Sequence, residues 1–279
     1  MKPSITPSRT IRFVFLAAAS ILALSLSACI LSDSDSEPEM GNGGTISVGQ
    51  TKTGSITSDK YAWRYTFTLT ETKMVVITME AVNGEIDPFL DLRDSNDISI
   101  ATDDDGYWDL EQDWQAEDLD AAIRTVLVPG TYTIVAMSFE NAYIEQMQMH
   151  EDVEISVLET GDFALTLRTD PVGDGGTIAI GGNASNTIDD VTYGWLYTLT
   201  VPVAASLSID MEMTSGTLDA YLEVYNSSNT LVTANDDGGT GSNSRIQYTF
   251  AAGTYTVFAT RYEDANGSST GSFFLTVTQ

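Results

Sequence analysis

The chain contains one cysteine, Cys29, and one histidine, His150, in 279 residues. A single cysteine excludes an intrachain disulfide, so stability has to come from a packed core. The lone histidine stands in Met147-Gln148-Met149-His150-Glu151-Asp152, and H-E-x-x-H does not occur, which leaves a zinc-protease site without its motif and a nucleophile triad with a single histidine to serve as base. Met147, Met149 and His150 suit a soft copper ion, but they are too few to specify a site and read as a surface loop. Basic residues are scarce: 12 against 40 acids, a formal net charge of −28. Such a surface repels nucleic acid and anionic headgroups, and solubility alone is its simplest use. Carboxylates are abundant, yet no constellation of them marks a hydrolase, so the expectation is a protein that is not an enzyme. Long apolar runs are missing as well. The 14 residues from Phe13 to Leu26 fall short of the roughly 20 that a membrane-spanning helix needs.

That short run has a different use. Lys2, Arg9 and Arg12 precede it and Leu26-Ser27-Ala28-Cys29 follows, the order of a secretory leader: basic region, apolar core, small-residue cleavage site. Leu-Ser-Ala-Cys resembles the lipobox of bacterial lipoproteins, which implies that residues 1–28 are removed and that Cys29 is lipidated, as with palmitate. Ile30 and Leu31 stand where many Gram-negative lipoproteins retained at the inner membrane carry aspartate, so the resemblance favours the outer membrane. Without residues 1–28 the chain keeps nine basic residues against forty acids, a net charge of −31. Residues 29–43 have almost no apolar content after Ile30 and Leu31, a composition unable to form a core. They are expected to be a flexible tether spanning on the order of 20 Å.

The remainder repeats itself. Gly43-Gly44-Thr45-Ile46 returns as Gly175-Gly176-Thr177-Ile178, Ile86-Asp87-Pro88-Phe89-Leu90-Asp91-Leu92 as Leu218-Asp219-Ala220-Tyr221-Leu222-Glu223-Val224, and Asp103-Asp104-Asp105-Gly106 as Asn235-Asp236-Asp237-Gly238, all at an offset of 132. Pro129-Gly130-Thr131-Tyr132-Thr133-Ile134 matches Ala252-Gly253-Thr254-Tyr255-Thr256-Val257 at 123, and Gly161-Asp162-Phe163 matches Gly271-Ser272-Phe273 at 110, so the first copy carries two insertions. Leu207, Ile209, Met211 and Met213 alternate with Ser208, Asp210 and Glu212, the period of a strand with one buried face. Short runs of this kind between Gly, Asn and Asp clusters predict an all-β chain of two tandem antiparallel sandwiches, 44–169 and 175–279, joined through Thr169 to Asp174.

The order G-x-T-I, Y-T-F-T-L-T, D-P-F-L-D-L, D-D-D-G, P-G-T-Y-T-I and G-x-F-x-L, present twice, resembles the bacterial pre-peptidase C-terminal domain (PPC). The resemblance implies a jelly-roll-like β-sandwich, non-catalytic, of the kind appended to secreted proteases or other exported proteins.

Two sets of loop residues are candidates for binding. Hard cations such as calcium want several oxygen ligands, and acids recur at equivalent positions: Asp87 and Asp219, Asp104 and Asp236, Asp105 and Asp237. The spacing is not that of an EF-hand, and Asp and Asn also initiate turns by bonding their own backbone. In the insertions, Trp108, Trp114 and Tyr143 stand among acids, a pairing that stacks on sugar rings while carboxylates take the hydroxyls, or that folds back to cap the sandwich. Two classes of function fit: a binding module for a surface polysaccharide or exported protein, including an accessory role in a secreted peptidase system, and a structural spacer without a ligand.

Overall fold

The structure, a computed structural model, describes residues 38–84, 86–106, 120–142 and 159–279. Cys29, Trp108, Trp114, Tyr143 and His150 lie outside the described residues, as does the leader. Eighteen strands dominate the described residues. The first half is built from β1 (Glu39–Thr45), β2 (Gln50–Ile56), β3 (Lys60–Leu69), β4 (Lys73–Gly84), β5 (Pro88–Arg93), β6 (Ser99–Asp103), β7 (Ala121–Leu127), β8 (Gly130–Ser138) and β9 (Gly161–Thr169). The second is built from β10 (Gly173–Ile178), β11 (Asn183–Ile188), β12 (Gly194–Val201), β13 (Ala205–Gly216), β14 (Ala220–Asn226), β15 (Leu231–Asn235), β16 (Ser244–Phe250), β17 (Gly253–Arg261) and β18 (Gly271–Thr278).

Each half makes a five-stranded and a four-stranded sheet in the same order: β1-β3-β8-β5-β6 over β2-β9-β4-β7, then β10-β12-β17-β14-β15 over β11-β18-β13-β16. Adding nine to each strand number of the first half reproduces the second, so the repeated motifs encode one topology twice. Among the described residues, all strand pairings are antiparallel except β1 with β3 and β10 with β12.

The repeated glycine pair explains that exception. A Cβ on Gly43 would fall 2.2 Å from the Tyr65 ring, and one on Gly175 would fall 2.3 Å from Tyr197, so each edge strand lies flat on an aromatic ring. The next residues, Gly44 and Gly176, have φ of 72° and 71°, a region glycine enters without strain, and both parallel pairings shift register there. Asn42 and Asp174 side chains accept from the Gly44 and Gly176 amides at 2.9 and 2.8 Å.

Other motif residues fasten the layers. Trp63 Nε1 donates to the Ser55 carbonyl at 2.8 Å and Trp195 Nε1 to that of Thr187 at 2.9 Å, each tying one sheet to the other. The tyrosines of P-G-T-Y and A-G-T-Y bond carbonyls four residues upstream: Tyr132 to Val128 at 2.7 Å and Tyr255 to Ala251 at 3.0 Å. Each half has its own core, with Phe67, Phe163, Leu90 and Ile77 in the first and Tyr197, Phe273, Leu222 and Ile209 in the second.

Strand order begins earlier than composition suggests. Residues 39 to 43, expected in the tether, belong to β1. Backbone pairing with β3 and the contact of Gly41 with the Trp63 ring hold them, and neither needs an apolar side chain. The joint is shorter than expected, since β9 ends at Thr169 and β10 starts at Gly173.

Candidate cation-binding loops

At one end of the second sandwich, the turn between β13 and β14 meets the loop between β15 and β16. The first is anchored by Asp219, whose amide donates to Ser269 Oγ at 3.0 Å and whose carbonyl accepts from Tyr262 at 2.8 Å. The second is anchored by Asn235. Its side-chain oxygen accepts from the Gly238 amide at 2.6 Å, and its carbonyl accepts from Ser244 Oγ at 2.8 Å. Gly238 has no room for a Cβ, which would meet Asn235 Oδ1 and the Arg245 carbonyl at 2.5 Å. The tight turn therefore uses the first and last residues of N-D-D-G and leaves the middle two acids projecting.

Those two acids meet Asp219. Asp219, Asp236 and Asp237 each offer a carboxylate oxygen, all within 4.8 Å of one another. Asp236 Oδ1 is buried and unpartnered. Burial first, then the neighbouring charges of Asp237 and Asp219, push the Asp236 carboxyl above its ordinary range.

The first sandwich repeats the arrangement with differences. Asp103 stands in for Asn235, its carboxylate accepting from Gly106 at 2.6 Å and Ala122 at 2.8 Å, and burial pushes its pKa up to about 6. Asp87 repeats Asp219: its carbonyl accepts from Phe139 at 2.7 Å, and its amide donates to Glu159 Oε2 at 3.2 Å. Asp87 Oδ1 is buried without a partner, and burial followed by Asp105, Glu159, Asp104 and Glu140 pushes the group up to about 6. Asp87, Asp104 and Asp105 share one electrostatic neighbourhood, but among the described residues only the second-copy acids approach as a group to within 4.8 Å.

Within D-D-D-G and N-D-D-G, Asp103 and Asn235 hold the turn through the Gly106 and Gly238 amides. Among the described residues, none of the six candidate carboxylates is ion-paired with lysine or arginine. Glu159 escaped the sequence reading. Its signal was positional, since it precedes Gly161 by two residues as Ser269 precedes Gly271. Burial raises its pKa as well, with Glu140 adding to the effect. The insertions leave and rejoin the described chain near these acids, at Gly106 and Asp120 and at Ala142 and Glu159.

Residues 196–259, from β12 to β17, match the family described as the bacterial pre-peptidase C-terminal domain. This interval contains Asp219, Asp236 and Asp237. No curated protein matches the chain. Among solved structures, the pre-peptidase C-terminal domain of a collagenase from Bacillus anthracis is similar at 16% identity over 38% of this chain and 96% of that one, with a TM-score of 0.33. PliG of Aeromonas hydrophila, a periplasmic inhibitor of g-type lysozyme, is similar at 14% identity over 38% of this chain and 99% of that one, TM-score 0.26. The CUB1-EGF-CUB2 region of human MASP-1/3 is similar at 8% identity over 81% of this chain and 99% of that one, TM-score 0.23.

Proposed function

We propose that the chain is a non-catalytic lipoprotein of the bacterial cell envelope, anchored through Cys29. Its tandem PPC-type sandwiches hold an extracellular polymer or an exported protein at loop ends organised by calcium. The observation that carries this reading is the meeting of Asp219, Asp236 and Asp237 within 4.8 Å, with one oxygen of Asp236 buried and unpartnered. Three carboxylates so close repel one another in water, and a hard divalent cation is the chemistry that such oxygen donors fit. Asp219, Asp236 and Asp237 would hold the ion, which supplies positive charge that relieves the repulsion. In doing so these residues tie the β13–β14 turn to the β15–β16 loop. Asp87, Asp104 and Asp105, with Glu159 beside them, are the corresponding set in the first copy.

The family match lies within the second sandwich, from β12 to β17, and the identical strand order supports reading the first as another copy. The first is the one elaborated for recognition on this reading. In sequence its insertions begin just after Asp105 and end at Glu159, and on this reading Trp108, Trp114 and Tyr143 are the apolar contacts while the acids select against anionic partners.

The test is retention of envelope polysaccharides and exported proteins on the immobilised chain, in calcium and in chelator. Retention that falls in chelator and with Trp108→Ala plus Trp114→Ala supports the reading. Retention indifferent to both returns the chain to a spacer role. Labelling with palmitate that persists after Cys29→Ser would remove the anchor from the account.

A further inference from the structure

The strand β4 carries apolar residues on both faces. Val75, Ile77 and Met79 enter the first core, but Met74 and Val76 on the opposite face are also buried. On the neighbouring strand β7, Val126 is buried on that outer face too. The second sandwich covers Met74 and Val126, which form one apolar cluster with Tyr193, Leu196, Tyr225 and Phe258.

Polar groups register the two halves around this cluster. Arg124, on β7 beside Val126, is the hub. Its Nε donates to Asp170 at 2.9 Å, one terminal nitrogen donates to Asp264 at 2.6 Å, and the other donates to Tyr193 Oη at 2.5 Å. Tyr193 in turn donates to Asp170 at 2.7 Å, and its ring lies 5.1 Å from the guanidinium. At another point Asn229 of the second half accepts from the Val128 amide at 2.8 Å and donates to Tyr132 Oη at 3.1 Å. Asp264 belongs to the β17–β18 loop, whose carbonyls at Asp264 and Ser269 also accept from Arg261 at 2.8 and 3.2 Å. That loop is therefore fastened from both sandwiches.

The faces that the repeat makes equivalent to these are of a different kind. Met74, Val76, Arg124 and Val126 correspond to Ser206, Ser208, Gln247 and Thr249, where Ser206 bonds Thr249 at 2.7 Å and Arg245 pairs with Asp210. Leu196, Tyr225 and Phe258 correspond to Arg64, Arg93 and Val135, where Arg93 pairs with Asp91 at 2.6 Å and Arg64 with Asp97. Contact between the halves thus joins two faces of different chemistry; of the two faces left at the ends of the stack, that of the second sandwich is polar, while that of the first sets these ion pairs beside a buried apolar cluster of Ala62, Val135, Met137 and Ala142. An interface between unlike faces would otherwise continue to a further copy.

The geometry points to a clamp. Arg124 of the first sandwich, closing on Tyr193, Asp170 and Asp264, makes the two sandwiches one rigid, cooperatively unfolding four-layer body and holds the β17–β18 loop of the second sandwich in place. Removing Arg124 leaves Asp264, on the other sandwich, without its ion-pair partner, and removing Asp264 takes one of two carboxylates from Arg124, so the effect of a substitution crosses from one sandwich to the other.

Calorimetry and hydrogen exchange on the full chain test this. The wild type is expected to unfold in one transition with equal calorimetric and van't Hoff enthalpies. Arg124→Met is expected to split it into two and to speed amide exchange in residues 262–270, in the other sandwich, by about tenfold. Asp264→Asn covers the case in which Arg124→Met does not fold. It changes a half-buried loop side chain without altering its shape and is expected to speed exchange in β7. Two independent transitions in the wild type, or substitutions whose effects stay within their own sandwich, would overturn the proposal.

Discussion

Replacing Asp87 by asparagine keeps the side chain's shape and removes its charge, and the structure gives that charge a cost. Burial and the nearby Asp105, Glu159, Asp104 and Glu140 raise the group from 3.8 to about 6. For a carboxyl wholly removed from water such a rise amounts to about 3 kcal/mol; Asp87 is half-buried and screened by solvent, so about 1 kcal/mol is the expected size. A folded-state pKa above the unfolded one means that the native state holds the proton more tightly. Stability is therefore unimpaired below about pH 4 and is lost as pH rises from about 4 to about 6. In urea titrations with chelator present, Asp87→Asn should be more stable than the wild type by ~1 kcal/mol at pH 7 and equal to it at pH 4. Saturating calcium should cancel the advantage, because the ion stabilises only the protein that keeps the carboxylate. A variant no more stable at pH 7, or a gain that persists at pH 4, would refute the reasoning.

Gly175→Ala should destabilise by about 2 kcal/mol or more in thermal unfolding, because its methyl would sit 2.3 Å from the Tyr197 ring in a packed layer with no slack; Gly181→Ala, with φ of 82° but open space around it, should cost about 1 kcal/mol from backbone strain alone. Tyr255→Phe removes a bond to the Ala251 carbonyl and should cost about 1 kcal/mol in chemical denaturation.

Much of the architecture was legible because the signals were local. Alternation in β13, Leu207, Ile209, Met211 and Met213 against Ser208, Asp210 and Glu212, states a strand with one buried face; the structure buries the first three and leaves Met213 exposed, past the point where pairing with β16 ends at Met211. The same position in the first copy reads Met74-Val75-Val76-Ile77, an unbroken apolar run rather than an alternation. Such a run marks a strand buried on both faces, which is how β4 meets the second sandwich. The signal for the interface was present, but the partner that covers the outer face comes from more than a hundred residues away, and no spacing states it. Arg124, Asp170, Tyr193 and Asp264 were invisible for the same reason. Within the loops, composition could not separate Asp103 from Asp104 and Asp105, because all three are acids in a turn. Only the hydrogen bonds from Gly106 and Ala122 distinguish the residue that holds the turn.

The most direct measurement is a calorimetric titration of the full chain with calcium, alongside Asp236→Asn combined with Asp237→Asn. The three second-copy carboxylates should take up one calcium ion that the double variant does not, with magnesium weaker because it demands a tighter octahedral shell. The same stoichiometry in both proteins, or no calcium heat from the wild type at matched ionic strength, would contradict the reading of these loops as the cation site.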